Sequence, residues 1–439
     1  MKVKLRMMMV CAAFLGTGSV AHAQDFYMTS GSARSMAMGG TYVASSDNVV
    51  DALATNPAGL SVLRGRNLDF SVDAVFARGS FSNPFNTDAP LNTSAGAVPY
   101  GAFGMPIGHS RFSFAVGMTP ELLSEGDWKY VDAPGTAGAT YGLQEQKSAI
   151  NAFRFAGGLG FAVNSKFSLG ATVGADYNTN TLQAPYIFQS QPVLAGLKTL
   201  LDLHTSGVGW NGSVGALVHP NEKWELGVAW KSRTVIESTG SASGDAYAQF
   251  AALGVDAASN FTYSGKVRNI LPQSVTASAA WQARRRWLFA FQANWINWKD
   301  SFAVLPVTLT NGTNATINSL VGGNSMQDAV PLHWKDQYVF HGGVEHGLTE
   351  NTTIRAGYAH GNNPVPSSTL TPLTAAIFMD EITAGFEYRH DRSKFGISYG
   401  FRPTANEQVG QSSLLAGEYN DSSVKVGTQS LVLSYSLKF

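Results

Sequence analysis

The sequence is poor in cysteine and in charged residues. Its single cysteine, Cys11, lies in the N-terminal targeting stretch described below, so we predict a mature chain without disulfide bonds. Asp, Glu, Lys and Arg make up 14% of the residues, against roughly 25% in ordinary soluble proteins. These shortages argue against a highly charged soluble domain and against a disulfide scaffold. They favour a chain stabilised by an extensive framework of backbone hydrogen bonds.

Long apolar runs are also missing after residue 23. A membrane-spanning helix needs about 18–20 consecutive apolar residues, so we expect none in the mature chain. Residues 1–23 resemble a signal peptide, with a basic start, an apolar stretch at residues 7–20 and the cleavage pattern Ala21-His22-Ala23. The alternative is a membrane anchor, but the stretch is short and interrupted by Gly and Thr. A mature chain beginning at Gln24 leaves three destinations: the periplasm, the medium or the outer membrane.

Apolar and polar residues alternate along most of the chain from residue 68 onwards. For example, Phe112, Phe114 and Val116 alternate with Arg111 and Ser113. A period of two residues indicates β-strands with one apolar face. We predict strands at residues 68–80, 98–107, 110–119, 150–163, 166–180, 208–219, 223–239, 260–284, 287–302, 335–347, 352–360, 380–390, 394–402 and 427–439.

The connections between these strands alternate strictly between long and short. Every short turn and both chain ends therefore fall on one side, which is typical of outer-membrane barrels. A soluble sandwich also has alternating strands but has no reason to sort its loops in this way. We predict an all-β fold, a transmembrane antiparallel β-barrel of about 14 strands at residues 68–439. A barrel in a bilayer must close, because an open edge would leave backbone groups unpaired in hydrocarbon.

Three stretches and the C-terminus resemble one family of outer-membrane proteins. The stretches are GSARSMAMGGTYVASSDNVVDALATNPAGLSVL (residues 31–63), LPQSVTASAAWQARRRWLFAFQANWINWKDSF (271–302) and HWKDQYVFHGGVEHGLTENTTIRAGYAHGNNPVPSSTLTP (333–372), and the chain ends in SYSLKF. They are similar to the FadL/TodX family of outer-membrane long-chain fatty acid and hydrocarbon transporters. The resemblance implies an N-terminal hatch inside a 14-stranded barrel, ligand capture by apolar outer loops, and release sideways through a gap in the wall, without an energy source.

Residues 24–67 precede the first predicted strand, and we expect them to form this hatch. Ser46 and Asp47 are suited to cap a short helix. Pro57 ends that helix, because the residue before proline disfavours the helical conformation. We place Asn56, Pro57 and Ala58 in the hatch. The alternative is a disordered leader, against which the apolar residues of the segment argue.

Two long outer loops, predicted at residues 120–149 and 181–207, carry the apolar residues that we expect to bind substrate. In the second loop, Pro192 is suited to begin a helix with leucines along one stripe. Exposed apolar loops are typical of binding surfaces, although such a stripe can also pack on neighbouring loops and close the barrel mouth. The predicted substrate-binding residues are Leu122, Leu123, Trp128, Phe188, Leu194, Leu197, Leu200 and Leu201.

The second predicted strand contains residues that weaken backbone pairing. Proline has no N–H to donate to a ladder, and glycine weakens a strand interior. We predict the lateral gate between the second and third strands or beside them, at Pro99, Gly101, Gly104 and Pro106.

The histidines of the mature chain show no pattern typical of catalysis. None lies in a nucleophile motif, and His341 and His346 differ by an odd number, which puts them on opposite faces of a strand. We expect no enzyme activity, cofactor, metal site or nucleic-acid partner, and a monomer whose partners are a hydrophobic ligand and outer-membrane lipid. The predicted function is passive uptake of long-chain fatty acids; the alternatives are aromatic or other hydrocarbons and a general diffusion porin. Whether an inward Arg or Lys contacts a carboxylate headgroup stays open.

Overall fold

The computed structural model of the chain describes residues 31–44, 48–92 and 95–439. The predicted signal peptide and the predicted helix caps Ser46 and Asp47 therefore lie outside the described residues. Strands predominate in the described part, and helices are short. None of the helices found there has the length and apolar character needed to cross a bilayer.

Nineteen strands are described and are numbered here in chain order. They are β1 (Asn67–Asn83), β2 (Asn86–Pro90), β3 (Ala95–Pro106), β4 (Phe112–Val131), β5 (Leu143–Ala162), β6 (Phe167–Ile187), β7 (Lys198–Asn221), β8 (Trp224–Lys231), β9 (Thr234–Asp245), β10 (Asn260–Leu271), β11 (Ser274–Arg284), β12 (Trp287–Ile296), β13 (Val304–Thr310), β14 (Met326–Pro331), β15 (Gln337–Gly347), β16 (Thr352–Gly361), β17 (Asp380–His390), β18 (Ser393–Val409) and β19 (Ser422–Lys438).

The described helices have seven residues or fewer. The α-helices are α1 (Ala33–Ala37), α2 (Val49–Ala54), α3 (Tyr247–Leu253), α4 (Trp298–Ser301) and α5 (Ala315–Val321). Short 3-10 helices lie at Pro57–Val62, Thr136–Gly138, Ser367–Thr369, Pro372–Thr374 and Leu415–Gly417.

Fourteen of the described strands form a closed antiparallel barrel. Around the wall the order is β1, β3, β4, β5, β6, β7, β8, β11, β12, β15, β16, β17, β18 and β19. The last strand pairs with the first, from Asn67 opposite Lys438 to Ser82 opposite Ser423. The predicted all-β barrel of about 14 strands is confirmed.

Two predicted strands are each divided in the structure. The strand predicted at 223–239 is interrupted after Lys231, between β8 and β9, and the one predicted at 260–284 is interrupted at Pro272, between β10 and β11. Proline cannot donate to the ladder, which accounts for the second break. The pairing of β9 with β10 and the pairing of β8 with β11 follow one register. Thr234 lies opposite Leu271, and Lys231 lies opposite Ser274. β9 and β10 therefore extend the wall outward, and β13 adds to its edge by pairing with β10.

The outer ends of the strands reach further than predicted. β4, β5, β6 and β7 occupy most of the predicted loops at 120–149 and 181–207. The helix predicted after Pro192 is wrong, because Leu200 and Leu201 lie on β7, which pairs with β6 on one side and with β9 on the other. Backbone pairing on both sides outweighs the helical spacing of the leucines.

The outer face of the barrel is apolar, and the inner face is small or polar. Phe155 is 52% exposed and Val173 is 64% exposed. Their neighbours along the same strands, Arg154 and Thr172, are buried. An exposed apolar band on the outside is what a bilayer requires of a barrel.

The described residues of the N-terminal segment, 31–44 and 48–63, are almost entirely buried and pack against the inner face of the wall. α1 contacts β16, β17, β18 and β19, whereas the 3-10 helix Pro57–Val62 contacts β5, β6 and β7. Asp51 of α2 joins the parts of this segment, because its carboxylate accepts hydrogen bonds from Ser32 Oγ (2.8 Å) and Ser35 Oγ (3.1 Å). Asn48 caps α2 by accepting from the Asp51 N–H at 3.0 Å.

Asn56, Pro57 and Ala58 lie where this segment comes closest to the wall. Asn56 Nδ2 donates to the carbonyl oxygen of Ala216 on β7 at 3.2 Å. A Cβ atom added at Gly170 of β6 would overlap the backbone of Pro57 and Ala58. Only glycine permits this approach of two backbones, so the wall has a recess shaped for this turn of the segment.

Replacement of Gly170 by alanine should loosen the N-terminal segment without opening the barrel. Overpacking costs about 1–3 kcal/mol, so backbone amides of residues 48–63 should exchange with deuterium about tenfold faster, or more. The measurement is native-state hydrogen exchange read by mass spectrometry. Gly157→Ala is the matched control, because a Cβ at this outward-facing glycine of β5 meets nothing within 4 Å. Equal exchange in the two variants would contradict the close fit.

Candidate functional site

A large apolar cavity opens at the outer end of the barrel. Its walls come from β6, β7, β10, β13, β14 and α3. Phe188, Leu201, Phe250, Phe261 and Val307 line it and form one apolar cluster. Binding sites for small molecules are concave and mostly apolar. Buried apolar surface contributes about 25 cal/mol per Å2, so this cavity can hold an apolar molecule without a charge contact.

Four of the eight predicted substrate-binding residues line this cavity: Phe188, Leu194, Leu197 and Leu201. Leu200 does not, because successive side chains of a strand point to opposite faces. It lines a neighbouring depression, to which Leu201 and Phe261 also contribute.

The other three predicted residues lie on β4 and do not line the cavity. Leu122 and Trp128 belong to an apolar cluster that also contains Trp334. Trp334 lines the cavity as well, so this cluster adjoins the cavity. Leu123 belongs to a different cluster, with Leu53 of the N-terminal segment. Neighbouring leucines of β4 therefore face the outer cavity region and the N-terminal segment respectively.

Several lining residues were not identified from the sequence. Phe250 lies on α3, Val307 and Met326 on the β13–β14 hairpin, and Phe261 and Tyr263 on β10. The first three fall in stretches predicted as loops. The last two share one face of a predicted strand, and that alternation was the available signal. This alternation shows that Phe261 and Tyr263 share a face, but it does not show whether that face points to the cavity or to the outside.

Asp328 on β14 fixes the loop that follows β6 and forms one wall of the cavity. Its carboxylate accepts hydrogen bonds from the N–H groups of Gln189 (2.9 Å), Ser190 (2.5 Å) and Gln191 (3.0 Å), and from the Tyr186 hydroxyl. Burial acts to raise the pKa of Asp328, but the hydrogen bonds from Tyr186 and the loop hold this pKa below its usual value. The carboxylate therefore stabilises the loop at neutral pH, and this contribution is lost as the pH falls through the lowered pKa.

Lys198 is the only basic residue among the described residues that line the cavity, and it is fully paired. Its Nζ lies 2.6 Å from Asp132 Oδ1 and 3.3 Å from Glu418 Oε1, and it also donates to the Ala133 carbonyl. Burial raises the pKa of Glu418 to about 8, although Lys198 opposes the rise; Asp132 adds to it. Lys198 therefore has two acidic partners. Among the described residues, the cavity wall offers no cation without an acidic partner.

The ladder between β3 and β4 covers only part of the two strands. It ends at Gly101 opposite Met118, and residues 95–100 pair with β1 but not with β4. Continuing the register would set Pro99 opposite Pro120, and neither proline has an N–H to donate. Two prolines therefore coincide with the end of the ladder.

The predicted gate residues lie on both sides of that point. Pro99 lies beyond the ladder and Gly101 at its last pair, whereas Gly104 and Pro106 are paired within it. A Cβ at Gly104 would lie 3.0 Å from Val49 of α2. Gly104 thus lies next to the N-terminal segment, at a position where β3 and β4 are still paired.

β4 turns inward where this pairing is missing. All residues from Thr119 to Ser124 are buried, whereas regular barrel strands alternate between exposed and buried positions. Glu121 within this stretch forms an ion pair with Lys231 of β8, a strand that is not adjacent to β4. The inward turn is therefore held from across the lumen.

Comparison with protein families gives one family for the whole chain. A sequence model described as "Outer membrane protein transport protein (OMPP1/FadL/TodX)" matches residues 12–438. Among curated proteins, none matches the chain significantly.

Several solved structures share this architecture along almost their entire length. A FadL homologue of Pseudomonas aeruginosa has a TM-score of 0.73 at 17% identity, covering 94% of this chain and 99% of its own. The toluene transporter TodX of Pseudomonas putida has a TM-score of 0.73 at 21% identity, covering 95% and 100%. The toluene transporter TbuX of Ralstonia pickettii has a TM-score of 0.69 at 18% identity, covering 92% and 97%. At these identities the likeness shows the fold alone.

Leu201→Ser should weaken binding of a hydrophobic fluorescent probe to the purified protein. Loss of one buried leucine contact is worth about 1.5–3 kcal/mol, so the dissociation constant should rise about tenfold or more. A fluorescence titration in detergent measures it. Leu200→Ser, on the other face of the same strand, is the matched control and should bind as the wild type does. If both variants lost affinity equally, the cavity would not be the binding site.

Proposed function

The chain belongs to the family of outer-membrane transport proteins described as OMPP1/FadL/TodX, and from this premise we propose how it carries a hydrophobic molecule. The ligand is captured in the outer apolar cavity, passes the N-terminal segment, which acts as a hatch, and leaves sideways through the barrel wall into the membrane. No step needs an energy source, because the ligand moves between apolar surroundings. The observation that carries the proposal is the apolar cavity at the outer end of the barrel, which adjoins the apolar cluster around Trp334.

Capture rests on the fixed geometry of the cavity walls. Asp328 holds the loop after β6 through backbone hydrogen bonds, so Phe188 and Leu194 are positioned before a ligand arrives. A wall that is already ordered does not have to lose conformational entropy on binding. The cavity is therefore suited to collect dilute apolar molecules.

The hatch role rests on the position and attachment of residues 31–63. Their contacts to the wall include ion pairs and hydrogen bonds as well as apolar packing: Arg34 pairs with Glu345 of β15 at 3.1 Å, and the Leu53 carbonyl accepts from Arg154 of β5 at 3.0 Å. The segment consists of short helices, each too short to be stable alone. It can rearrange in small units without breaking any strand pairing of the barrel.

The exit rests on the incomplete ladder between β3 and β4. Leu122 and Leu123 of the inward-turned stretch face the outer cluster and the hatch cluster respectively, so the same strand borders both compartments. An apolar molecule beside Leu123 lies next to the part of the wall where β3 and β4 are not paired. Movement of the hatch away from β4 would free that route.

The pairing of the charged residues in the cavity indicates which class of ligand it can bind. The sequence favours long-chain fatty acids, with aromatic or other hydrocarbons as the alternative. Lys198, the one basic residue among those described in the lining, is balanced by Asp132, so a carboxylate gains no partner there. We propose that the cavity holds an apolar chain or ring through its surface alone, and that it binds neutral molecules at least as well as fatty acids.

Transport of this kind involves no catalytic step and no steady ion flow. In the described ranges no three His, Cys, Asp or Glu side chains are grouped to hold a metal. A general diffusion porin needs an open lumen, whereas residues 31–63 lie against the inner wall on several sides. A monomer is sufficient, because cavity, hatch and exit all belong to one chain.

Hexadecan-1-ol should bind with an affinity equal to or above that of hexadecanoic acid. The two share one apolar chain and differ in the charge of the head, and the cavity offers no free cation to the carboxylate. Competition against the same fluorescent probe at pH 8 measures both dissociation constants, and Leu201→Ser should weaken both by the same factor. Tighter binding of the acid by about tenfold, worth 1.4 kcal/mol, would show a charge contact and contradict this assignment.

The double change Pro99→Thr with Pro120→Thr should slow transfer while leaving binding intact. Threonine restores the missing N–H groups and favours strand structure, so β3 and β4 can pair further and close the exit. Transfer is measured as the rate at which probe bound to reconstituted protein reaches the lipid of the vesicle.

Pro272→Thr is the control for this experiment. It makes the same substitution at the break between β10 and β11 and should leave transfer unchanged. If the double variant transferred the probe at the wild-type rate, the ligand would have to leave by another route.

A further inference from the structure

A second, smaller pocket opens at the periplasmic end of the barrel, where the short turns lie. It is lined by Ser61 and Arg64 at the end of the N-terminal segment, by Arg111 before β4, by the turn between β5 and β6, and by His219 of β7. Its empty space is about 650 Å3. The pocket therefore joins the segment to three separate parts of the wall.

The two arginines in this pocket have hydrogen-bond donors that the protein does not use. Arg64 donates through Nη1 to the carbonyl oxygens of Ser61 (3.5 Å) and Leu63 (3.3 Å), and Arg111 donates through Nη1 to the carbonyl oxygen of Val163 (2.8 Å). Within the described ranges, neither has an ion-pair partner, and Nε and Nη2 of both have no acceptor. Each guanidinium keeps part of a planar fork that suits an oxyanion.

Hydroxyl and imidazole groups in the pocket can also hydrogen-bond to an anion. Ser61 Oγ is buried and has no hydrogen-bond partner in the part of the chain that the structure describes, and Ser165 and Ser168 line the same pocket. His219 Nε2 lies 3.1 Å from Oε2 of Glu225. No described Asp or Glu lines the pocket itself. The lining therefore combines two cations with several neutral donors.

The surroundings of the pocket strengthen its positive potential. The other periplasmic turns and the stretch before β1 contain the basic residues Arg66, Lys166, Lys223, Arg285, Arg286 and Arg392, against the acidic residues Glu222, Glu350 and Asp391. Clustered charge of one sign raises the local concentration of counter-ions. An anion in the periplasm is thus drawn to the end of the barrel that holds the pocket.

We propose that this pocket binds a phosphate oxyanion, supplied either as free phosphate or as the phosphodiester headgroup of a phospholipid. Phosphate and phosphodiester groups present tetrahedrally arranged oxygens in different directions, which matches donors that converge from four chain segments, whereas the two oxygens of a carboxylate lie in one plane. Arginine forks bind phosphate in a bidentate manner through charge-assisted hydrogen bonds.

A bound phosphate would tie the N-terminal segment to the wall. Arg64 and Ser61 belong to the segment, and Arg111, Ser168 and His219 belong to the barrel, so an anion between them bridges the two. Any ligand that binds only the seated segment stabilises that state by mass action. The end of the segment at Ser61 and Arg64 then stays bound to the wall while α1 and α2 rearrange. This inference does not depend on the ligand class of the outer cavity.

The test uses the full mature protein in an alkyl maltoside detergent, which contains no phosphate. Inorganic phosphate should slow hydrogen exchange of residues 57–66 about tenfold when its concentration is about ten times its dissociation constant. Sodium chloride of the same ionic strength should not. Short-chain phosphatidylglycerol is the second probe: protection by both identifies a site open to lipid headgroups, and protection by phosphate alone identifies free phosphate.

Three variants separate the pocket from the general charge of the rim. Arg64→Gln and Arg111→Gln should each abolish the protection, while Arg285→Gln, an exposed arginine of the same rim outside the pocket, should keep it. Probe binding in the outer cavity should be unchanged in all three, which confirms that they fold. Absence of protection by either anion, or equal loss in the Arg285→Gln variant, would overturn the proposal.

Discussion

The pairing of every backbone N–H and C=O group in the wall is the constraint on which the structure depends. Hydrocarbon offers no partner to an open edge, so fourteen strands close on themselves through β1 and β19. A place where the ladder stops therefore needs a local solution. Between β3 and β4 the ladder stops beside Pro99 and Pro120, and β4 turns into the lumen, where Glu121 meets Lys231. The inward turn carries this unpaired stretch of β4 away from lipid, where its polar groups would have no partner.

The barrel interior is shaped for the segment that it contains. At Gly170 the wall backbone approaches Pro57 and Ala58 so closely that no side chain fits. The segment is joined to itself by Asp51, whose carboxylate collects the Ser32 and Ser35 hydroxyls. Tight seating and internal connection have different consequences. The first fixes one position of the segment against the wall, and the second links α1 to α2.

The architecture could be predicted from the sequence because the bilayer imposes a simple rule. Alternation of residues such as Phe155 and Arg154 indicates which face meets lipid, and the sorted loop lengths indicate closure. The outer region follows no such rule. There, Leu200 and Leu201 have helical spacing with Leu194 and Leu197, yet pairing of β7 with β6 and β9 places them on a strand. Four of the eight predicted substrate-binding residues line the cavity. Their apolar character can be read from the sequence itself, but the face on which each side chain lies cannot. Phe250 and Val307 could not be assigned, because the side of the wall that they cover is decided by contacts distant in the sequence.

The seam between β1 and β19 has a consequence for assembly. It joins Asn67 to Lys438, so the loop that it closes contains nearly the whole polypeptide. Closing such a loop costs conformational entropy, and contacts between residues close in the sequence do not offset this cost before the two strands pair. The cylinder is therefore completed only after the final strand has been synthesised.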